Sequence, residues 1–382
     1  MRPDLTVVDR PVVVDRTVPF FDYPRLYTDE KEELLRIVDE VGSRGAFIMQ
    51  QDLEDFEEAL AQFTDSKHAV GVANATDGLE LAWMALGLRP GDEVIVSSHT
   101  MLATASAIVI AGGKPVPVEI GPDNLIDPDA VAAAVTPHTV GIMPTQLNGR
   151  TCDMERIMAT AKRYGLWVVE DSAQALGSRF KGQHAGTFGQ AGAFSFFPAK
   201  VLGGLGDGGG VVTNDPQIFD RVYQLHDHGR DATGEQRSWG RNSRLDNLQA
   251  AILLHKLGSY EAVIEKRREI ASHYQERLQD LEELRLPPAP NSDPDHFDVY
   301  QNYEMTADSR DALREYLKKA GVGTLVQWGG KGVHQWERLG FPHRLHGVER
   351  FFERCIMLPM NIFLSGDDVD YVCDQIERFY RG

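Results

Sequence analysis

Short apolar runs alternate along this chain with longer segments whose apolar positions recur every three or four residues. The short runs are rich in β-branched residues, which is typical of buried strands, and the longer segments have the period of amphipathic helices. We predict strands at residues 69–73, 93–97, 114–119, 140–145, 167–171, 194–197 and 210–214. We predict helices at residues 30–41, 52–63, 76–88, 101–111, 127–135 and 154–164.

Strand and helix alternating at this spacing predict an α/β fold, in which a mostly parallel central sheet is flanked by helices on both faces. The pattern then changes. Apolar positions from Leu245 to Leu284 predict one long helix, in which Gly258 marks a bend.

The C-terminal part of the chain follows a proline cluster at residues 287–294, which ends the long helix. The remainder predicts a smaller α+β domain. Its last helix is expected to begin at Ser365, because Ser365 and Asp368 have the spacing of a capping box. We therefore divide the chain into residues 1–255, an N-terminal segment with the large domain, and residues 256–382, the connecting helix with the small domain.

Composition narrows the functional classes. Of the 382 residues, 42% are hydrophobic and 25% are charged, which is typical of a globular enzyme or binding protein. The net charge of −18 argues against a nucleic-acid-binding surface. The three cysteines, Cys152, Cys355 and Cys373, have no metal-ligand spacing, so we expect no metal site, no disulfide framework and a reducing cytoplasm.

One stretch could be mistaken for a membrane span, since residues 94–113 contain no Lys, Arg, Asp or Glu. Its interior carries the polar residues Ser97 to Thr100 and Thr104, so a buried strand, a polar turn and a buried helix explain it better. At the N-terminus, Asp15 and Arg16 interrupt the apolar run, and no signal-peptide core is expected.

Lys200 is the first candidate for chemistry. It lies in an apolar segment that starts at Phe194 and runs into a glycine-rich stretch at 203–210. Apolar neighbours disfavour the ammonium, which frees the amine to form a Schiff base with an aldehyde cofactor. The alternative is an ordinary lysine that extends from an apolar surface into water.

Asp171 is the second candidate, because it ends a buried apolar strand at the edge where open α/β sheets bind ligands. A buried carboxylate needs a cationic partner, and a protonated pyridine nitrogen would serve. Gln174 follows three residues later and could reach the same ligand. A structural ion pair or a helix cap is the alternative reading of Asp171.

Phosphate could bind where Asn74-Ala75-Thr76-Asp77 closes a strand and opens a helix, because free backbone N–H groups and the Thr76 hydroxyl are donors there. A plain N-cap is the alternative. Ser195 could add a further hydrogen bond to phosphate. The formal GxGxxG at residues 204–209 precedes a predicted strand instead of a helix, so we reject a dinucleotide site.

Four segments occur in a fixed order: Asn74 to Asp77, Glu170 to Gln174, Phe194 to Phe196 with Lys200, and Asn242 to Ala251. Together they resemble the DegT/DnrJ/EryC1/StrS family, the pyridoxal-phosphate-dependent aminotransferases of nucleotide-linked ketosugars. The similarity extends over nearly the whole chain. It implies a fold-type I transferase that forms a homodimer with two active sites at the subunit interface.

The resemblance also implies roles for individual residues. Lys200 would bond covalently to pyridoxal phosphate, Asp171 would hold its pyridinium nitrogen, and Gln174 would lie near its phenolic oxygen. The phosphate ligands would be Thr76, Ser195 and the backbone at Ala75 and Asp77, with Asn242 from the neighbouring subunit. L-Glutamate would be the amino donor and a nucleotide-linked keto-deoxysugar the acceptor.

Two departures from the family pattern concern the substrate side. Met101 stands where an aromatic residue usually covers the cofactor ring, although His99 is an alternative for that place. The usual His-Leu-Tyr-Gly is replaced by residues 146–149, Gln-Leu-Asn-Gly. A lysine instead of histidine at position 200 favours transamination over dehydration, and the glycine-rich stretch favours reaction at C-3 of the sugar over C-4.

Two alternatives share the same residues. A cyclitol aminotransferase acting on a keto-inositol would also need Lys200 and Asp171. A regulator that keeps the fold without turnover is the other, although nothing in such a scaffold requires an amine at position 200.

Overall fold

The computed structural model describes residues 16–342 and 344–382. Its α-helices are α1 (Tyr23–Asp29), α2 (Lys31–Arg44), α3 (Gln51–Thr64), α4 (Ala75–Leu86), α5 (Leu102–Ile110), α6 (Pro128–Ala133), α7 (Met154–Tyr164), α8 (Pro216–His226), α9 (Asn247–Leu257), α10 (Tyr260–Leu278), α11 (Arg310–Lys319), α12 (His346–Arg354) and α13 (Gly366–Arg381). Its strands are β1 (His68–Val72), β2 (Glu93–Ser97), β3 (Lys114–Val118), β4 (Thr139–Met143), β5 (Trp167–Asp171), β6 (Arg179–Phe180), β7 (Gln183–His184), β8 (Ala191–Ser195), β9 (Gly209–Thr213), β10 (Leu284–Arg285), β11 (His296–Phe297), β12 (Tyr303–Ala307) and β13 (Cys355–Leu358).

Seven strands form the central sheet, in the order β1-β9-β8-β5-β4-β2-β3. Strands β8, β5, β4, β2 and β3 run parallel to one another. Strand β9 is antiparallel to both β8 and β1. The predicted α/β class with a mostly parallel sheet is therefore confirmed, and β9 supplies the strand that was expected after the glycine-rich stretch.

Helices cover both faces of this sheet. On one face, Trp83 of α4, Ile108 of α5 and Val222 of α8 belong to one buried cluster. On the other, Phe56 of α3 and Ile157 of α7 are buried in two further clusters. Full burial of an aliphatic or aromatic side chain stabilises a fold by about 1.5–3 kcal/mol, so these clusters hold the sheet in place.

The smaller C-terminal part contains an antiparallel sheet in the order β10-β12-β13, covered by α10, α11 and α13. The last helix begins as expected, since Ser365 and Asp368 form a capping box. The division of the chain at residues 255 and 256 remains a prediction.

The prediction of one long helix from Leu245 to Leu284 is wrong. The chain forms two helices, α9 and α10, separated at Gly258 and Ser259. Ser259 has φ −114° and ψ 8°, outside the helical range, so the expected bend at Gly258 is a break. Leu284 belongs to β10, where it pairs with Ala307.

Two further expectations concern bonding and membranes. Cys152, Cys355 and Cys373 are free and buried. Across the described ranges, no helix combines the length and apolar character that a bilayer crossing requires.

Glycine at position 209 allows β9 to lie directly against the start of α4. A Cβ atom there would lie 2.5 Å from the carbonyl carbon of Asn74 and 2.7 Å from the nitrogen of Ala75. Backbone atoms cannot rotate away as a side chain can, so this close approach requires glycine.

We predict that Gly209→Ala lowers the free energy of unfolding by about 2 kcal/mol, because β9 and α4 must separate. Chemical denaturation measures the change. Gly42→Ala is the control: its Cβ would meet nothing within 4 Å in α2, so the variant should be as stable as the parent or more stable. Equal behaviour of the two variants would contradict the proposed packing.

Candidate active site

Three of the predicted segments meet at one edge of the central sheet. Strand β5 ends at Asp171, β8 ends at Ser195, and β1 leads into Asn74 at the start of α4. All three strands run in the same direction, so their carboxyl ends lie together. This edge is where open α/β sheets bind ligands.

Glu170 and Asp171 are adjacent buried carboxylates with different environments. Glu170 accepts hydrogen bonds from the backbone N–H groups of Gly186, Phe188 and Gly189, at 2.7–3.0 Å, and from the Gln146 amide at 2.7 Å. Four donors satisfy this carboxylate and fix the 186–189 loop. Glu170 is thus part of the scaffold.

Asp171 accepts one hydrogen bond at each oxygen, from the Thr104 hydroxyl at 2.6 Å and from the Ala173 N–H at 3.2 Å. Burial raises the pKa of its carboxyl, although these bonds and the positive charge of Lys200 act in the opposite direction. Each carboxylate oxygen has more than one acceptor site. Asp171 can therefore accept a further hydrogen bond from a cationic ligand.

Lys200 follows β8 and is half-buried. Burial of its amine lowers the pKa to about 8, against the charge of Asp171, which raises it. Lys200 also lines a cavity of about 470 Å³ that is bounded by α1, α10 and residues 360–363. This environment differs from that of the surface lysine considered as the alternative, and it favours a nucleophilic amine.

Gln301 holds the backbone on both sides of Lys200, a role that the sequence did not reveal. Its amide nitrogen donates to the carbonyl of Ala199 at 2.9 Å, and its amide oxygen accepts from the N–H of Val201 at 2.9 Å. The carbonyl of Gln301 in turn accepts from Arg267 at 2.7 Å. Gln301 lies 101 positions along the chain from Lys200, so no local motif could have indicated the contact.

The start of α4 offers fewer free donors than expected. The Asn74 side chain accepts from the Asp77 N–H at 2.9 Å, and the Asn74 carbonyl accepts from the Gly78 N–H at 3.1 Å. Across the described residues, the N–H groups of Ala75 and Thr76 have no acceptor. The plain N-cap therefore exists, and it leaves two N–H groups that can bind an anion.

The remaining predicted phosphate ligands lie at this end of the sheet or close to it. Ser195 is half-buried, and its hydroxyl oxygen accepts from the Phe197 N–H at 3.4 Å, so its own proton is available to donate. The Asn242 side chain is exposed. Its neighbour Ser243 is buried and donates to the Asp77 carboxylate at 2.7 Å, which fixes the segment against α4.

Gln174 is oriented by its surroundings. Its amide oxygen accepts from the Asn148 N–H at 2.8 Å, while its amide nitrogen has no acceptor in the described part of the chain. The nitrogen is therefore the end that is available to a ligand.

The two candidates for covering a cofactor ring differ in exposure. Met101 precedes α5 and is 54% exposed. His99 is buried, with its Nδ1 donating to the Asn124 carbonyl at 2.8 Å and its ring 4.4 Å from that of Phe351. The position of His99 leaves Met101 as the better candidate, and that assignment remains a prediction.

Similarity to known proteins agrees with this geometry. Residues 28–377 match the model of the DegT/DnrJ/EryC1/StrS aminotransferase family. The chain belongs to this family. It is therefore a pyridoxal-phosphate-dependent aminotransferase with the fold-type I architecture.

Three relatives illustrate the range of the similarity. A dTDP-3-amino-3,4,6-trideoxy-alpha-D-glucose transaminase of Micromonospora megalomicea is 40% identical over 96% of this chain and 100% of its own length. A pleiotropic regulatory protein of Geobacillus stearothermophilus is 37% identical over 95% of this chain and 99% of its own length. The structure of Streptomyces venezuelae DesV with a ketimine intermediate has a TM-score of 0.91 and 35% sequence identity to this protein. The match covers 96% of this chain and 99% of the DesV chain.

The residues at the sheet edge fit pyridoxal phosphate. Asp171 is a buried carboxylate with spare acceptor capacity, Lys200 is a desolvated amine, and the N–H groups of Ala75 and Thr76 are free. Gly209 has no Cβ atom, so the space next to the start of α4 is not filled by a side chain at this position. Across the residues described, no group of three or more His, Cys, Asp or Glu side chains could hold a metal.

We predict that the cofactor-free protein captures pyridoxal phosphate at Lys200 with a rate that rises as pH passes about 8. The sign follows from the lowered pKa: only the neutral amine reacts, and about one tenth of it is neutral at pH 7. Absorbance stopped-flow measures the rate. A midpoint near the ordinary lysine value would contradict the desolvation, and Lys181→Ala, an exposed site, should change nothing.

We predict that Gln301→Ala slows this capture by about tenfold, because the backbone flanking Lys200 loses both side-chain contacts. The midpoint pH should stay near 8, since the apolar surroundings of the amine remain. Gln217→Ala changes an exposed glutamine on α8 and serves as the control. An unchanged rate in Gln301→Ala would show that the contacts do not position Lys200.

Proposed function

We propose that the enzyme transfers an amino group from L-glutamate to a nucleotide-linked keto-deoxysugar, at C-3 of the sugar. The observation that carries the proposal is the desolvated Lys200 amine, which interacts electrostatically with Asp171 and lines a cavity of about 470 Å³. The Micromonospora relative is named as a transaminase of a 3-amino sugar, which supports the choice of C-3.

Each residue has a specific task in this proposal. Asp171 holds the proton on the pyridine nitrogen, and the bound cofactor supplies an electron-accepting ring. Lys200 carries a proton to and from the carbon that bears the amino group. Gln174 donates to the phenolic oxygen.

Phosphate is bound by the N–H groups of Ala75 and Thr76, the Thr76 hydroxyl and Ser195. The backbone of Asp77 completes this phosphate site. Its N–H also donates to the Asn74 side chain, and its carboxylate accepts from the Ser243 hydroxyl. Because the Asn242 side chain is exposed, we propose that it reaches the phosphate of a second subunit in a homodimer. Met101 covers the ring from the exposed side.

We further propose that residues 1–255 and 256–382 form the two domains, and that the enzyme acts in the cytoplasm, where its three free cysteines stay reduced. The Geobacillus relative is named as a regulatory protein, so a regulator that binds the cofactor without turnover is the second candidate.

We predict that the enzyme aminates 3-keto nucleotide sugars at least about tenfold faster than 4-keto isomers, with L-glutamate as donor and no turnover of keto-inositol. Product analysis by mass spectrometry and NMR measures both rate and position. Lys200→Ala should be inactive, because the other amine that lines this cavity, that of Lys256, is held by the Gly203 carbonyl and Glu30.

Three outcomes would contradict parts of this proposal. Preference for keto-inositol would indicate a cyclitol aminotransferase. Preference for 4-keto sugars would reverse the assigned position. Cofactor binding without turnover of any acceptor would favour the regulator.

A further inference from the structure

Four amide side chains gather next to the proposed cofactor site, and we refer to them as the amide cluster: Asn148, Gln174, Asn302 and Gln327. Asn148 is central, because its side chain or backbone contacts each of the others. It has φ 57° and ψ 14°, a left-handed conformation that asparagine adopts more readily than most residues. The cluster joins the loop after β4 to the segment that leads into β12.

One carboxylate borders the amide cluster. Glu304 on β12 is buried and accepts from the Asn148 side-chain nitrogen at 2.7 Å. The titratable groups facing it are His99, whose Nε2 is 3.3 Å away, and the Cys355 thiol on β13. Burial opposes ionisation of Glu304, but His99 and the surrounding hydrogen bonds outweigh it and lower the pKa.

An ionised carboxylate only accepts hydrogen bonds, which determines how Asn148 must point. The nitrogen of its side chain faces Glu304, so its oxygen faces the opposite way. That oxygen accepts from Asn302 at 2.9 Å and from Gln327 at 3.0 Å. An amide rotated by 180° would place its oxygen against the carboxylate and its nitrogen against two donors.

The same arrangement of donors and acceptors extends to Gln174. The side-chain nitrogen of Asn302, already directed at the Asn148 oxygen, also lies 3.4 Å from the Gln174 amide oxygen. The Asn148 N–H donates to that oxygen at 2.8 Å. With two donors at its oxygen, Gln174 must present its nitrogen on the other side.

We propose that Glu304 is a positioning residue that, through the side chains of Asn148 and Asn302, reinforces the direction that the Asn148 backbone N–H gives to the Gln174 amide. Gln174 then offers an N–H, and not a carbonyl, to the phenolic oxygen of the cofactor, a contact that rests on the proposed function. A donor at this place stabilises the negative charge on the phenolic oxygen. In this proposal Glu304 acts through Asn148 and not by a contact of its own with the cofactor.

The test is Glu304→Gln in the holoenzyme, read by the pH titration of the cofactor's visible absorption. The neutral amide can donate or accept, so the Asn148 side chain loses its fixed direction and no longer holds the Asn302 nitrogen at the Gln174 oxygen, which keeps only the Asn148 backbone N–H as a donor. A less firmly oriented Gln174 is a weaker donor, which leaves the phenolic oxygen more basic, so the proton removed in the titration is bound more tightly. We expect the titration midpoint to rise by about half a pH unit.

A double-mutant cycle separates positioning from a general structural effect. Gln174→Ala removes the donor and should raise the midpoint by more, about one pH unit, and adding Glu304→Gln to it should raise it no further. Glu119→Gln is the control, since the Glu119 carboxylate accepts from the N–H groups of Gly347 and Val348, which lie outside the amide cluster. It should leave the midpoint unchanged.

Two results would overturn the proposal: an unchanged midpoint in Glu304→Gln, or a shift that persists in the absence of the Gln174 side chain. If Glu304→Gln does not fold, Asn302→Ala replaces it, because it removes the one donor to Gln174 that is linked to Glu304 and should give a shift at least as large in the same direction. A failure of the proposed sugar specificity would leave these spectra unchanged, so the two proposals fail separately.

Discussion

Desolvation of two opposite charges at one edge of the sheet is the constraint on which the site depends. Asp171 and Lys200 both lose water, so the pKa of the carboxyl rises and that of the amine falls. Their mutual attraction offsets only part of that cost. The rest has to be supplied by packing elsewhere, and the large buried clusters on both faces of the sheet supply it.

Such a pair is useful only if its geometry is fixed. Asp171 is held by Thr104 from α5, and the backbone around Lys200 is held by Gln301 from the C-terminal part of the chain. Gln301 and the adjacent Asn302 therefore act on both sides of the site, one on Lys200 and the other on Gln174. The small sheet is thus coupled to the chemistry through two consecutive side chains.

The sequence predicted those features whose cause is local. Strand β5 with Asp171 at its end, the N-cap at Asn74 and the capping box at Ser365 each depend on residues within a few positions of one another. The resemblance added roles for Gln174, Ser195 and Asn242. The break at Gly258 was harder to predict from the sequence, because the apolar period continues through it. Only the packing of α10 decides where the helix restarts.

Contacts across long stretches of chain could not be predicted in this way. Gln301, Thr104 and Glu304 carry no motif, and each acquires its role from a partner that folding brings near. Position 148 shows the difference well. The sequence marked it as a departure from the family pattern, yet its meaning depends on Glu304, 156 residues further along.

An amide differs from a carboxylate or an amine in that its two ends are similar in shape and opposite in hydrogen bonding. A site that relies on Gln174 therefore needs something that distinguishes the ends. Packing cannot do so, because rotation by 180° leaves the volume unchanged. The Asn148 backbone N–H does so directly for Gln174, at 2.8 Å. A charge can do so as well, and Glu304 is the carboxylate in contact with the amide cluster. The donor proposed at the cofactor would then owe part of its direction to a charge outside that contact.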